Sequence, residues 1–299
     1  MDKQLTQLIS IIITFSYLLF ASGSYEVLNL PKDARSLALN NTTSAYGGPL
    51  LRNNPASLSM HSTGITYSYL YLPANIHSGE IHRIIKTARG IKASKISLLS
   101  YGAIIDSETE EKSYAFDVLL EMGFKRELKN IISVGISGGY LFSSVTGFNS
   151  QLLFSKIGVR NRLLKKRFGV GFSLENVGII LKSYTDIKES IPTLFRTSFY
   201  YKPMYIPLII NWDIVKKLDS KSLYFSSGFE FMYQNRLTFR LGISSKRKSY
   251  LTEDFSSDFI AGISGGVGFR VQKKTLDIGF MNLGPAGFII GFSIRKDQN

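Results

Sequence analysis

The chain has 299 residues, of which 44% are hydrophobic, 13% aromatic and 19% charged, and its formal net charge is +14. It contains no cysteine, which excludes a disulfide framework, thiolate metal sites, a thiol nucleophile and a lipoprotein anchor. Its Lys and Arg residues do not gather on one element as in a nucleic-acid footprint, so no nucleic-acid partner is expected. The positive charge therefore indicates either a solvated basic surface or attraction to the phosphates of an anionic membrane.

The chain begins with a segment typical of a secretory signal peptide. A polar start is followed by an apolar core from about Leu8 to Phe20 and then by the small residues Ala21 and Gly23, which fit a cleavage site. The apolar core is too short for a comfortable transmembrane helix. We therefore expect residues 1–23 to be a cleaved signal peptide, and the alternative is an uncleaved anchor.

From residue 64 onward, hydrophobic and polar residues alternate with the two-residue period of β-strands. About fourteen such segments, separated by short polar turns, predict an antiparallel meander. The segments are about ten residues or longer, which suits tilted transmembrane strands, whereas strands of soluble sandwiches are nearer 5–6 residues. The sequence therefore predicts an all-β fold, an antiparallel transmembrane β-barrel of about 14 strands over residues 64–299.

The polar face of these strands is rich in Gly and Ser and carries isolated charges, as expected for a barrel lumen. Its ionisable residues could form a catalytic constellation, a conduction path or a structural network of ion pairs, and their mixed signs favour the network. The motif Gly-Ile-Ser-Gly-Gly, at 135–139 and 262–266, lies within strands and indicates glycines that leave room in the barrel. The predicted lumen network consists of Asp117, Glu121, Lys125, Arg167, Glu175, Glu230, Arg240, Arg270 and Asp277.

No pattern in the sequence indicates an enzyme, a cofactor or a metal site. The three histidines, His61, His77 and His82, have neither a cysteine nor a helix to bring them together as metal ligands. They also precede the main strand array, which argues against a Ser/His/acid set of the phospholipase type. No nucleophile elbow, phosphate-binding loop or dinucleotide-binding motif occurs in its required context. We therefore predict a protein that is not an enzyme.

The polar stretch before the first strand contains three motifs in a particular order. They are an apolar-Pro pair at Leu30-Pro31, an Ala-Arg-x-x-Ala-Leu run at 34–39 and Asn-Pro-Ala-x-Leu at 54–58. Together with the segments 173–181 and 190–203, they resemble the PorV/PorQ family of type IX secretion outer-membrane proteins. The chain is closer to PorQ in length and compact loops, and that family belongs to the wider FadL-like group of barrels.

One departure from the family is that Asn40-Asn41 replaces its usual Gly-Gly. Asn tolerates the left-handed backbone conformation better than most residues, so the turn can survive the replacement.

The resemblance implies that residues 24–63 form an N-terminal hatch that plugs or lines the lumen. In this interpretation Arg35 and Arg52 contact carboxylates of the lumen, and Pro55 begins a short helix after the Asn54 cap. The alternative is a disordered periplasmic tail. The residues expected in the hatch are Pro31, Ala34, Arg35, Leu39, Asn54, Pro55, Ala56 and Leu58.

The resemblance further implies a barrel of the cell outer membrane that acts as an anchor or adaptor in type IX secretion. Its implied partners are outer-membrane lipid, lipopolysaccharide and the proteins of the surface-attachment complex. The segment 245–258 carries Lys246, Arg247 and Lys248, which would suit lipopolysaccharide phosphates or a partner if it forms an outer loop.

Two other functions stay open. One is a FadL-like transporter of hydrophobic small molecules, which would need an apolar lumen pocket beside the hatch. The predicted lumen residues are charged or small, which favours the adaptor over the transporter. The other is a plain barrel scaffold without transport.

Overall fold

The computed structural model describes residues 25–298 except 43, 49, 60–62, 106–111, 129–130, 186–188, 235 and 252–259. The predicted signal peptide, residues 1–23, lies outside the described residues. Across the described ranges, no helix is long and apolar enough to cross a membrane. The α-helix of the described residues, α1, covers only Ala34–Ala38. The other described helices are short 3₁₀ helices at Glu26–Asn29, Pro55–Ser57, Leu164–Lys166, Ser245–Tyr250 and Gly284–Ala286.

Fourteen antiparallel strands of the described chain form a closed barrel. Each strand pairs with its neighbours in sequence, and the last strand pairs with the first, so that the sheet has no edge strand. This arrangement confirms the predicted all-β fold class and the predicted strand number. The strands are β1 (Gly64–Leu72), β2 (Ile76–Thr87), β3 (Gly90–Ile105), β4 (Lys112–Leu128), β5 (Ile132–Val145), β6 (Phe148–Leu163), β7 (Phe168–Lys182), β8 (Leu194–Tyr201), β9 (Leu208–Lys217), β10 (Leu223–Tyr233), β11 (Leu237–Ser244), β12 (Ile263–Val271), β13 (Lys274–Asn282) and β14 (Phe288–Asp297).

The outer face of the barrel is a continuous apolar belt. All fourteen strands expose at least one large apolar side chain, and two examples are Ile96, 56% exposed, and Met122, 72% exposed. On β4, Leu120 and Met122 are exposed while Asp117, Leu119 and Glu121 are buried, because successive side chains of a strand point to opposite faces. Such a belt on a closed barrel is the lipid-facing surface of a transmembrane barrel.

The two ends of the barrel differ in their connections. At one end, which we call the terminal mouth, β1 begins and β14 ends, since Gly64 pairs with Asp297. Two-residue turns at 88–89 and 272–273 also lie there. At the other end, the loop mouth, lie the longest connections, at 183–193 and 245–262.

Two residues predicted for the lumen network do not belong to it. Arg167 follows the 3₁₀ helix that joins β6 to β7, so it lies in a turn and forms no ion pair with any described residue. The side chain of Arg270 is 60% exposed and reaches only Asp297, at 3.5 Å. The alternation correctly places Arg270 on the inner face of the strand. However, Arg270 lies next to the end of β12, where the barrel opens to solvent at the terminal mouth.

Residues 25–59 run through the lumen from the loop mouth to the terminal mouth, and we call this segment the hatch. Tyr25 contacts Ser150 near the loop mouth, and the main chain at Leu58 contacts Lys125 towards the terminal mouth. Between these two contacts, α1 begins with a capping box, in which Asp33 accepts a hydrogen bond from the Ser36 amide at 3.0 Å. Asn40 and Asn41 then adopt left-handed φ angles of 50° and 63°.

The hatch fits against the wall because many inward-facing wall residues are glycines. A Cβ added at Gly135 would lie within 3.0 Å of the main chain at Pro55 and Ala56, and one added at Gly279 would meet the Ala34 carbonyl as closely. The interpretation of the strand glycines as space in the barrel therefore agrees with their contacts. The same close approach to the hatch occurs at Gly123, Gly158, Gly228, Gly242 and Gly266.

We expect Gly135→Val to displace the hatch, because its side chain would overlap the main chain at Pro55 and Ala56; overpacking of this kind costs about 1–3 kcal/mol. Gly138→Val is the matched control on the same strand, since a Cβ at Gly138 would meet only the Phe154 carbonyl oxygen, at 3.9 Å. The measurement is the rate of protease cleavage within residues 25–59 of the folded barrel. Equal cleavage rates for the two variants would contradict this packing.

Candidate functional site

The hatch is joined to the wall by a chain of ionic hydrogen bonds that starts at Arg35. The guanidinium of Arg35, which is 8% exposed, donates through Nε to Glu230 Oε2 at 2.8 Å and through Nη1 to the Gly47 carbonyl at 3.1 Å. Glu230 also accepts from Arg240 Nε at 3.0 Å, and Arg240 Nη1 donates to Asp277 at 2.6 Å. The structure therefore brings four of the predicted residues into one buried network.

Arg52 has a different partner from the one expected. Its guanidinium donates to Asp33 Oδ1 at 2.7 Å, and both side chains are almost completely buried. Asp33 is a hatch residue, so this pair lies within the hatch rather than between the hatch and the wall. Neither residue of this pair lies within the three motifs of the sequence analysis, and the pair joins residues 19 apart in the chain, so the sequence analysis did not find it. The contact instead ties the cap of α1 to the chain just before the Asn-Pro-Ala motif.

The Asn-Pro-Ala motif anchors the end of the hatch to two strands of the wall. Asn54 caps the 3₁₀ helix by accepting from the Ala56 amide at 2.9 Å. Its amide nitrogen also donates to the carbonyls of Val159 at 3.2 Å and Phe172 at 3.3 Å, which joins the hatch to β6 and β7. Of the residues expected in the hatch, Pro31 is half-buried, and the others are buried: Ala34, Arg35, Leu39, Asn54, Pro55, Ala56 and Leu58.

Two further ionic groups join nearby strands on the inner face of the wall. Glu121 pairs with Lys95 at 2.6 Å and with Lys156 at 3.1 Å. In the second group, Glu175 and Asp213 share Arg196, at 2.7 Å and 3.0 Å. Two predicted residues are placed separately from these groups: Lys125 donates to the Leu58 carbonyl at 2.7 Å, and Asp117 accepts from Tyr101 at 2.8 Å nearer the loop mouth.

Several buried lumen residues were missed by the sequence analysis. His82 is one, and its Nε2 accepts a hydrogen bond from the Leu51 amide of the hatch at 2.7 Å. Each of these residues occupies an inward-facing position of a strand, as Asp213 does between Trp212 and Ile214. The two-residue alternation of the sequence could therefore have identified them. The others are Glu80, Lys95, Lys156, Arg160, Arg196 and Asp213.

The half of the lumen next to the loop mouth, which we call the apolar half, contains the buried hydrophobic cluster, although Asp117 and Arg196 also lie there. There the hatch residues Val27, Leu28 and Leu37 pack with inward leucines and other hydrophobic residues of the wall into one buried cluster. The sequence analysis did not expect this cluster, because it considered only the ionisable and small residues of the inner face. The wall members of the cluster are Leu70, Leu72, Leu99, Leu119, Leu141, Leu152, Phe154, Met281 and Ile289.

Two cavities lie beside the hatch in this apolar half. The first, of about 330 Å³, is lined by the rings of Tyr25, Tyr101 and Tyr184 together with aliphatic side chains, and Asp117 is at its edge. We call it the aromatic cavity. The second, of about 240 Å³, is lined on one part by aliphatic residues, among which Leu283 lies at the loop mouth, and on another by polar and charged residues that include Glu26, Arg196 and Lys246. We call it the aliphatic cavity, and its other apolar lining residues are Leu30, Pro31, Leu72, Leu194, Val215, Met281 and Ile289.

The basic run of the predicted outer loop does not form one exposed patch. Lys246, Arg247 and Lys248 lie in the 3₁₀ helix Ser245–Tyr250 at the loop mouth. The ammonium of Lys246 is 4.2 Å from the centre of the Tyr224 ring, which is a cation–π contact. Arg247 is half-buried against Gly262, so only Lys246 and Lys248 are exposed.

Known proteins resemble this chain in structure rather than in sequence. No protein-family model and no curated protein sequence matches it. The toluene transporter TbuX of Ralstonia pickettii superimposes with a TM-score of 0.59 at 12% identity, over 89% of this chain and 98% of that one. The toluene transporter TodX of Pseudomonas putida gives 0.61 at 12% identity, over 88% and 97%. The monoaromatic hydrocarbon channel CymD gives 0.57 at 12% identity, over 89% and 97%.

These similarities show the fold alone, a closed outer-membrane barrel of the kind found in the two toluene transporters and the hydrocarbon channel. The finer resemblance to the PorV/PorQ family stays a prediction.

We expect Arg35→Ala to loosen the hatch by about 2 kcal/mol, because it removes charge-assisted hydrogen bonds to Glu230 while Glu230 keeps Arg240. Glu230→Ala should cost more, about 3–5 kcal/mol, since it leaves two buried guanidinium groups without this carboxylate. Arg270→Ala is the control, with an effect of about 0–1 kcal/mol. Urea unfolding in detergent ranks the three variants. An Arg35→Ala barrel as stable as Arg270→Ala would contradict the role of Arg35.

Proposed function

We propose that this protein is a FadL-like barrel of the outer membrane that takes up or binds a hydrophobic small molecule in the apolar half of its lumen. The observation that carries the proposal is the pair of cavities beside the hatch, lined by aromatic and aliphatic side chains. The sequence analysis named an apolar pocket at this place as the feature that would favour transport over the adaptor role.

The surface of the barrel supports its placement in a membrane. A chain that crosses hydrocarbon must satisfy its backbone hydrogen bonds internally, and a closed barrel does so because its sheet returns to its first strand. The apolar belt on all fourteen strands faces the lipid. Closed antiparallel barrels with an even strand number are the architecture of bacterial outer-membrane proteins, so the outer membrane is the compartment of this chain.

The two cavities differ in the molecule that each would accept. Their volumes, about 330 and 240 Å³, are near the lower end of the range for small-molecule sites. The aromatic cavity offers ring faces and, at its edge, Asp117, which already accepts a hydrogen bond from Tyr101. The aliphatic cavity offers an aliphatic surface together with the charged groups of Glu26, Arg196 and Lys246. Because TbuX and TodX are named as toluene transporters, a small hydrocarbon such as toluene is the first probe for this chain.

The hatch forms one side of both cavities. Tyr25 and Val27 line the aromatic cavity, and Leu30 and Pro31 line the aliphatic one. A molecule bound in either cavity therefore contacts the hatch directly, and its further passage towards the terminal mouth requires the hatch to move. Transport in this proposal depends on the contacts that hold the hatch, which the glycines and the Arg35 network supply.

We expect Leu283→Trp to weaken toluene binding about tenfold, because the larger side chain fills part of the aliphatic cavity. Leu218→Trp is the matched control, since Leu218 is exposed and does not line the cavity. Equilibrium binding of labelled toluene to the purified barrel measures both, with octanoate as a second probe. Wild-type protein that binds neither probe saturably would overturn the transport proposal.

A second candidate function is the adaptor role in type IX secretion. It is favoured by the place of the family-like segments in the structure, because they are the points at which the hatch is anchored. In the segment 173–181, Asn176 adopts φ 59° and donates to Asn29 of the hatch at 2.9 Å, and Asn54 joins the hatch to β6 and β7. Partner proteins and lipopolysaccharide would bind at the loop mouth.

Affinity purification from native outer membranes in mild detergent separates the two functions. If the chain is an adaptor, large secreted surface proteins or a second barrel should accompany it, and charge reversal of Lys246, Arg247 and Lys248 should reduce surface attachment. If it is a transporter, the barrel should be recovered with a hydrophobic small molecule and no such partners. Unchanged attachment in the triple variant would count against the basic run as the binding segment.

A further inference from the structure

A third cavity, which we call the vestibule, opens at the terminal mouth between the hatch and the wall. Its volume is about 690 Å³, larger than either apolar cavity. The hatch contributes Arg35, Tyr46, Gly47, Gly48 and Ser59, and the wall strands and their turns at this end contribute the rest of its lining. Its position separates it from the cavities at the loop mouth, so it has no part in the binding of a hydrophobic molecule there.

The vestibule is strongly basic. Eight cationic side chains and only two carboxylates, Glu127 and Glu230, line it. Asp277 and Asp297 lie outside the lining but pair with Arg240 and Arg295, which reduces the excess to four positive charges. The cationic residues are Arg35, Arg160, Arg162, Lys166, Lys202, Arg240, Arg270 and Arg295.

Three of these cations have no carboxylate partner in the described part of the chain: Arg160, Lys166 and Lys202. Arg160 lies on β6, Lys166 lies in the turn between β6 and β7, and Lys202 follows β8. The three therefore come from adjacent parts of the wall. Arg35, Arg162 and Arg240, in contrast, all bind carboxylates.

Arg160 is the strongest sign of a ligand. It is only 3% exposed, and its Nη1 donates to two main-chain carbonyls of the hatch, those of Tyr46 at 3.2 Å and Ser57 at 3.3 Å. Its Nε is buried and has no hydrogen-bond partner. A buried guanidinium without a counter-charge is costly, and its Nε–H belongs to the fork that guanidinium groups present to phosphate oxygens.

We propose that the vestibule binds an anion carrying two or more phosphate groups. One phosphate would occupy the free side of Arg160, and a second would reach Lys166 and Lys202 at the rim. The volume of about 690 Å³ exceeds what one phosphate fills, and the excess of four positive charges calls for more than one. The source of the phosphates is either a free phosphorylated molecule or the headgroups of the adjoining lipid leaflet.

Calorimetry with inorganic tripolyphosphate tests the site on the full barrel in nanodiscs of neutral phosphatidylcholine. We expect saturable binding that weakens as the salt concentration rises. The variant Lys166→Glu/Lys202→Glu should bind about tenfold more weakly or not at all. The matched control is Lys246→Glu/Lys248→Glu, which makes the same charge change at the loop mouth and should bind like the wild type.

Arg160 is tested by the conservative variant Arg160→Lys, because a larger change would also release the hatch carbonyls. This variant keeps the positive charge but loses the planar set of N–H donors of the guanidinium. We therefore expect weaker tripolyphosphate binding and an unchanged midpoint of thermal unfolding. Repeating the titration in nanodiscs that contain anionic phospholipid identifies the source. If tripolyphosphate no longer binds in the anionic nanodiscs, the natural occupant of the vestibule is a lipid headgroup. If tripolyphosphate still binds there, the natural occupant is a free phosphorylated molecule. No binding in neutral nanodiscs, or equal losses in the two Lys double variants, would overturn the proposal.

Discussion

The close contact between the hatch and the barrel wall determines the rest of this structure. Fourteen strands enclose more space than their own side chains fill, since about eight strands already give an interior that side chains can pack. In this barrel the wall side chains leave part of the interior unfilled, because glycines such as Gly135 and Gly279 face inward where the hatch passes. The cavities, the ion pairs and the division of the lumen all follow from a second piece of chain lying in this space.

The hatch also explains how so many charges can be buried. A charge taken out of water destabilises a fold unless a partner and hydrogen bonds compensate it. In the middle of the lumen Glu121, Glu175 and Glu230 each meet cationic groups of the wall, and the main chain of the hatch accepts bonds from Lys125 and Arg160. Towards the loop mouth, Val27 and Leu28 of the hatch instead pack against leucines of the wall. One segment therefore has an apolar and a polar environment along its length.

The strand number, the barrel and the identity of the two faces could be predicted because they depend only on a period of two. The division of the lumen could not. Leu119 shares its face with Asp117 and Glu121, and the sequence does not reveal that the inward leucines of neighbouring strands meet in one cluster. Arg270 shows a second limit, since alternation gives the face of a residue but not its height in the barrel. Arg52 shows a third, because its partner Asp33 is 19 residues away in a segment without periodicity.

The ion pairs of the hatch have a consequence for its removal. Arg52 and Asp33 both belong to the hatch, so this pair would leave the lumen intact. The wall carboxylates that would stay behind keep partners of their own, since Glu230 has Arg240 and Asp213 has Arg196. Two described ionic groups of the hatch would lose wall partners, since Arg35 would leave Glu230 and Glu26 would leave Lys217. Of the described ion pairs, withdrawal of the hatch would therefore separate only these two, whereas the buried Lys125 and Arg160 would lose the main-chain carbonyls of the hatch to which they donate. The hatch is bound to the wall more by hydrogen bonds and packing than by ion pairs.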